Sequence, residues 1–288
     1  MSDRSDQRIA VISGATRGIG RALVDALAGQ WGAGGTVYLT ARRAEDGVAV
    51  TAALRANGRN VDWLPFDLDD SGSAQRLADT LHARHGGVDV AVLNAAFAPR
   101  DDIPAAAQAR RMIEANNHGT LRFLNAFSSI MRANGRLVVV ASGFGVLASL
   151  PENLRPRFDT NMRSASAIDR AMDDYVVAVE TGEAGAEGWP EWVNIPSKVG
   201  QVAVTRAFAR EWRGNGRRAP GVLINAACPG LTLTDATRDL MNTVFKGRTA
   251  QTVEEAANGL MPLLTLPSGT GEPDGELVRH GNVIPFGN

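Results

Sequence analysis

The stretch Ile12-Ser13-Gly14-Ala15-Thr16-Arg17-Gly18-Ile19-Gly20 follows a short apolar run at 8–13 and opens a segment, 18–30, whose apolar residues recur at helical spacing. A glycine-rich turn in that position has a specific use. Glycines at 14, 18 and 20 let the backbone bend sharply and approach a pyrophosphate, whose charge is met by the N–H groups and positive end of the following helix. The alternative is a tight turn whose glycines serve only left-handed backbone, with no ligand. A strand before and a helix after favour a dinucleotide, which makes Gly14, Thr16, Arg17, Gly18, Ile19 and Gly20 candidate cofactor contacts.

Outward from this turn, short runs rich in Val, Leu and Ile at 8–13, 36–41, 61–66, 88–93, 136–141 and 222–227 read as buried strands. Helical spacing at 18–30, 71–85, 105–133 and 196–213 supplies crossovers long enough to return over a sheet. This alternation predicts a Rossmann-type, doubly wound α/β fold with a parallel sheet of six to seven strands, the last near 276–279. The stretch from about 150 to 191 breaks the rhythm with Pro151, Pro156, a mixed-charge helical segment near 165–180 and a Gly-rich tail at 181–188. It reads as a helical insertion in a single domain spanning 1–288. A helix at about 252–264 and a Pro/Gly-rich loop at 267–275 follow.

With 288 residues, a net charge of −1 and 44% hydrophobic against 21% charged residues, the chain is neither disordered nor supercharged. Thirty basic residues against 31 acidic ones leave no field that would draw it to nucleic acid or an anionic membrane. A small molecule is the better partner. Cys228 is the sole cysteine, which excludes an internal disulfide and a cysteine-cluster metal site; His82, His85, His118 and His280 lack ligand spacing, so no metal is expected. The first eight residues are polar and no run of about 18 apolar residues occurs. A cytoplasmic location is the expectation.

The end of the second strand selects among dinucleotides, because a carboxylate there would hydrogen-bond a free ribose hydroxyl and repel a 2′-phosphate. The chain reads Leu39-Thr40-Ala41-Arg42-Arg43, with no carboxylate, and Arg17 stands in the glycine turn. Guanidinium forks bind phosphate well. NADP(H) is therefore the expected cofactor, with Arg42 at its 2′-phosphate; the alternative is that Arg42 and Arg43 belong to a solvated loop.

These residues resemble the short-chain dehydrogenase/reductase family over nearly the whole chain, and within it the carbonyl-reductase-like branch with a long insertion before the catalytic helix. The glycine turn resembles the family's T-G-x-x-x-G-x-G with Ser13 for Thr, and Phe66-Asp67-Leu68 resembles the adenine-contacting segment after strand three. Leu93-Asn94-Ala95-Ala96 resembles N-N-A-G with two positions altered. The resemblance implies a water-anchoring helix asparagine at Asn116 and the active-site serine at Ser142. It implies a lysine that holds the nicotinamide ribose at Lys198, and a nicotinamide-side turn at Pro229-Gly230 with Thr232 and Thr234 following. One departure stands out. Where the family has Tyr-x-x-x-Lys, this chain reads Asn194-Ile195-Pro196-Ser197-Lys198, and the preceding Gly188-Trp189-Pro190 resembles the branch's own approach to its tyrosine. Tyr38 and Tyr175, the two tyrosines present, fall in strand two and in the insertion.

An amide has no proton to give near neutral pH, but its NH₂ donates a hydrogen bond and can stabilise negative charge developing on an oxygen. Acid catalysis is lost while polarisation survives. Hydride addition to the β-carbon of an enone asks less of the site, because the resulting enolate takes its proton later at carbon. Ser142, Asn194, Lys198 and Asn116 thus suit an NADPH-dependent oxidoreductase for bulky hydrophobic carbonyl or α,β-unsaturated carbonyl compounds, with Trp189, Trp192, Met241 and Phe245 as candidate pocket walls or, almost equally, core packing. The alternative is a non-redox member: an isomerase, dehydratase, cyclase or cofactor-binding protein without turnover. Asn194 also reads as a helix N-cap, with Pro196 in the first turn. His118 is a minor site candidate, and the Asp67–Asp70 run reads as an adenine contact plus a helix cap. A helical insertion beside the Lys198 helix predicts a monomer.

Overall fold

A computed structural model describes residues 7–100, 102–216 and 218–287; the polar stretch 1–6 lies outside the described residues. The element order is β1 (Arg8–Ile12), α1 (Gly18–Trp31), β2 (Gly35–Ala41), α2 (Ala44–Ala56), β3 (Val61–Pro65), α3 (Ser73–His85), β4 (Val88–Leu93) and α4 (Ala105–Ile113). A π-helical turn, Glu114–His118, leads into α5 (Gly119–Ser128) and β5 (Met131–Val140). Then come α6 (Ala165–Thr181), α7 (Asn194–Gly214), β6 (Leu223–Ala227), α8 (Val253–Leu264), β7 (Leu277–Arg279) and β8 (Asn282–Ile284).

The strands order themselves 3-2-1-4-5-6-7-8, parallel from β3 to β7. The chain reverses direction across the sheet between β1 and β4, which opens a crevice at their carboxyl ends. Alternate side chains of one strand serve opposite faces. Ala10 and Ile12 of β1 pack with Leu23, Val24 and Leu27 of α1 and Leu260 of α8, whereas Ile9 and Val11 join the α3, α5 and α7 side with Phe123, Phe127 and Val202. Each fully buried Leu or Phe in these layers contributes about 1.5–3 kcal/mol.

Four sequence expectations need correction. The described sheet has eight strands, because β8 pairs antiparallel with β7 through a two-residue turn, His280-Gly281, both at positive φ (49° and 77°). This is the backbone a tight hairpin demands. A helix, α2, fills the link between the second and third strands. The helix expected over 105–133 is interrupted by the π turn and ends at Ser128, and β5 begins at Met131, with its register against β4 slipping between Val88 and Val90. The cap expected in the Asp67–Asp70 run is replaced: α3 begins at Ser73 after Gly72, with Asp70 Oδ1 accepting from Gly72 N at 3.0 Å and its carboxylate pairing with Arg76.

Two features brace this frame. Arg136, in β5, is 2% exposed, and its guanidinium donates to the carbonyls of Asn134, Gly135, Gly221, Leu266 and Pro267 at 2.8–3.0 Å. No carboxylate pairs with it among the described residues, and burial holds its pKa below the usual value. The π turn is the second. Its Asn116 side chain accepts from Phe97 N (2.8 Å) and donates to Phe97 O (3.0 Å), its Asn117 bonds Ser197 of α7, and its His118 bonds Asp169 and Asp173 of α6. Hydrogen bonding to Asp169 raises the His118 pKa against the opposing effect of burial.

Candidate active site

The crevice at the switch point is a cleft of about 1100 Å³. Gly14, Thr16, Arg17, Gly18 and Ile19 form one wall, Arg42, Asp67 and Leu68 the far end, and Asn94 the floor, so nine of the expected cofactor contacts line it. Gly14 sits at φ 61°, and a Cβ there would lie 2.7 Å from the Cα of Ala95, so only glycine lets the turn lie on β4. Ser13 and Asn94 lock that approach. Ser13 Oγ accepts from the N–H groups of Asn94 (2.9 Å) and Ala95 (3.0 Å), and Asn94 Nδ2 donates to the carbonyls of Ser13 and Gly14 at 3.1 Å each. No side chain caps the start of α1, and its first turn holds no acidic residue. Its N–H groups are left for an anion.

Five expected contacts lie elsewhere. Gly20 is buried beneath the turn against Asn94 and the Gly14 carbonyl, while Lys198, Pro229, Gly230 and Thr232 stand beyond the cleft lining. Gln251 holds the Pro229–Thr232 turn, donating to the Pro229 carbonyl and to Thr232 Oγ1. Sequence reasoning missed Gln251, and also Asp46, Arg111, Leu233 and Asp235 in the cleft wall, where Thr234 of the expected loop stands as well. Their signals are long-range: Arg111 pairs with Asp69 at 2.7 Å and lies over the Phe97 ring, and Asp235 meets Arg17 at 3.5 Å. Arg43 is taken up by Glu45 and Asp46. Arg42 is exposed at the far end and makes no ion pair among the described residues.

Ser142 follows β5 directly, its Oγ accepting from Phe144 N at 3.3 Å. The turn it starts packs tightly on α7: a Cβ at Gly145 would stand 2.8 Å from the Lys198 carbonyl and 2.5 Å from Val202. Lys198 is buried, and its Nζ donates to Gln201 Oε1 at 2.8 Å. Loss of water pushes its pKa down to about 8, opposed by the nearby Cys228 thiol. Asn194 is the first residue of α7, one turn before Lys198, and half-buried. The expected N-cap is not formed: Val193 precedes the helix, no side chain caps it, and the Asn194 amide makes no hydrogen bond among the described residues. Both tyrosines are engaged elsewhere. Tyr38 pairs its hydroxyl with His85 at 2.9 Å, and Tyr175 is buried in α6 with its pKa pushed up by desolvation.

The aromatic expectations divide. Phe144 and Trp192 meet edge to face at 5.4 Å, and Phe245 completes the cluster at 6.3 and 6.1 Å from them. This cluster links the Ser142 turn to the residues just before Asn194. Trp189 instead packs against Tyr175 and Phe158 inside the insertion, where it is 4% exposed and forms core rather than pocket wall. Met241 is half-buried within the short helical turn Asp239–Asn242. His118 is committed to its two aspartates.

Known proteins resemble this chain in sequence and in fold. The family model for short chain dehydrogenase matches residues 8–152. Carbonyl reductase (NADPH) 3 of Rattus norvegicus is 33% identical over 279 residues, covering 96% of this chain and 97% of that protein. The Homo sapiens carbonyl reductase (NADPH) 3 is 32% identical over 285 residues, covering 97% and 98%. In fold, the chain is similar to salutaridine reductase from Papaver somniferum, with a TM-score of 0.80 at 21% identity and coverage of 94% and 99%. A dinucleotide-type cleft at the switch point, the family match over half the chain and full-length relatives above 30% identity lead to one conclusion: the chain belongs to the short-chain dehydrogenase family of oxidoreductases.

Proposed function

We propose that the chain is an NADPH-dependent oxidoreductase acting on bulky hydrophobic carbonyl compounds, with α,β-unsaturated carbonyls as its preferred class. The observation that carries this reading is Asn194: an amide with no hydrogen bond among the described residues, at the head of α7, one turn before a buried lysine, in a chain whose tyrosines both lie elsewhere. The cleft suits the cofactor. Uncapped N–H groups at the start of α1 receive the pyrophosphate, and Arg42 takes the 2′-phosphate, in keeping with NADPH in the names of the full-length relatives. When bound, NADPH supplies a hydride to the substrate.

The residues of the chain do the rest. Ser142 Oγ–H and Asn194 Nδ2–H donate to the substrate oxygen and stabilise the charge that grows on it. Lys198 donates to the nicotinamide ribose, and Asn116 fixes the Phe97 segment beside the cleft. Phe144, Trp192 and Phe245 give the substrate an apolar wall and keep water from the reacting carbon. The enolate oxygen rests on two neutral donors, and the α-carbon takes its proton from water as product leaves. NADPH consumption with product identification on paired cyclic enones and ketones tests this: saturated ketones from enones are expected, and tight NADPH binding with no turnover on any substrate overturns it.

Two parts of the reading have their own tests. Arg42→Asp is expected to raise the NADPH dissociation constant about 10–100-fold, the worth of one charge-assisted phosphate contact, while sparing NADH; equal losses for both cofactors would remove Arg42 from the 2′-phosphate. We propose also that the chain is a monomer, because α6 covers α7, with Met172 against Gly200. Light scattering at micromolar concentration is expected to return the mass of one chain, and a dimer mass contradicts it.

A further inference from the structure

Lys198 Nζ does not end in open space. It donates to Gln201 Oε1 at 2.8 Å, Gln201 Nε2 donates to Thr120 Oγ1 at 3.1 Å, and Thr120 Oγ1 donates to the Asn116 carbonyl at 2.6 Å. Every link is buried: Gln201 is 1% exposed and Thr120 is fully covered. Gln201 sits one turn beyond Lys198 on the same face of α7, and side chains of a helix lean toward its N-terminus, so the amide reaches back over the lysine. The donor directions are fixed throughout. Thr120 spends its one proton on the Asn116 carbonyl, so it accepts from Gln201, whose oxygen is then turned to the ammonium. No member of the chain beyond Lys198 titrates near neutral pH, so it orients a charge and carries no proton.

We propose that Gln201 is a positioning residue, which holds the Lys198 ammonium in the orientation that meets the cofactor and anchors it, through Thr120, to the π turn. The inference rests on the contact between Lys198 and the cofactor ribose proposed above. Without the Gln201 oxygen, a buried ammonium has lost its acceptor, and it either swings toward the Cys228 side or gives up its proton. Cys228, just after β6, is the titratable group whose charge reaches Lys198. The ionisable groups of the π turn are engaged elsewhere, Glu114 with Arg122 and His118 with Asp169 and Asp173, and on α6 Asp174 pairs with Arg157 and Glu180 with Arg110, while Arg170 has no ion pair among the described residues.

The test is NADPH affinity, read from the fluorescence of the bound reduced nicotinamide, as a function of pH in wild type and in Gln201→Met, Gln201→Glu and Lys198→Ala. Near-UV circular dichroism checks that each variant is folded. Wild type is expected to lose affinity as pH rises through about 8, where Lys198 discharges. Gln201→Met, which keeps volume but removes the acceptor, is expected to bind NADPH about tenfold more weakly at neutral pH. Gln201→Glu places a carboxylate against the ammonium and is expected to move the alkaline fall upward by on the order of one to two pH units, a shift that a merely structural glutamine would not produce.

Unchanged affinity in a folded Gln201→Met together with an unmoved midpoint in Gln201→Glu overturns the proposal. If Gln201→Met does not fold, the midpoint of Gln201→Glu alone decides. Unchanged binding by Lys198→Ala would show instead that Lys198 does not touch the cofactor, and the reading beneath the proposal falls with it.

Discussion

Asn194→Tyr is expected to raise alcohol formation from saturated cyclic ketones by about 10²–10⁴-fold, the span that general acid assistance is worth. The scaffold is prepared for the change. The Asn194 amide makes no hydrogen bond among the described residues and is half-buried at the head of α7, so its replacement breaks none of the described hydrogen bonds. One turn on, Lys198 still carries its proton at neutral pH, since its pKa falls only to about 8. A cation beside a phenol favours the phenolate and draws the phenol pKa down from about 10 toward the working range. The new side chain then gives a proton to the carbonyl oxygen as hydride reaches the carbon, which an amide cannot do. Wild type and variant are compared by product identification on the same ketones and enones. Saturated ketones from wild type and alcohols from the variant would fit asparagine redirecting hydride to carbon–carbon double bonds. Alcohols from the variant with an inert wild type would mean that Asn194 has switched off redox turnover. A folded variant that binds NADPH yet gains nothing would remove the head of α7 from the site.

Arg136→Met is expected to cost about 3–5 kcal/mol of folding stability, because buried acceptors left without their donor forfeit solvation as well as the bond. Five carbonyls from three separate segments of chain converge on this one guanidinium, each within 3.0 Å. Methionine fills much of the same volume, so the loss reports the hydrogen bonds rather than a cavity. Arg136→Lys offers at most three donors on a point charge and is expected to recover roughly half. Denaturant midpoints check both. Arg136 stands where β5 begins to pair with β6, six residues before Ser142 and outside the cleft lining, so NADPH affinity of the folded fraction is expected to stay unchanged. A loss below about 1 kcal/mol would mean that water replaces the guanidinium.

The sheet was legible from residue pattern because its strands are buried on both faces and read as unbroken apolar runs. α2 was not: its buried positions are Gly47, Thr51 and Leu54, which keep helical spacing but place a single large apolar side chain on the inner face. β8 escaped because three residues carry too little periodicity, and because His280-Gly281 is a weaker hairpin signature than Asn-Gly. The cleft residues of the glycine turn were readable since their chemistry is local. Gln201, Gln251 and Arg111 were not, since what makes each of them matter includes a partner far away in sequence: a threonine hydroxyl, a turn carbonyl, a carboxylate in another loop. Trp189 stays open between pocket wall and core at the level of sequence, as an aromatic side chain near a site looks alike there whether it faces ligand or core, and its contacts make it core.

The π turn bears on how such a chain can change over generations. Three consecutive residues, Asn116, Asn117 and His118, brace three different walls: the Phe97 segment, α7 and α6. Each α-helical residue advances the helix by about 100°, so losing or gaining one position between Glu114 and His118 would rotate all three side chains away from their partners at once. Individual positions around the cleft can be exchanged one at a time, but the length of this segment cannot drift. Insertions and deletions that surface loops accept freely are closed to it, which ties the spacing from the Phe97 segment to α5 more strictly than the identity of most residues within it.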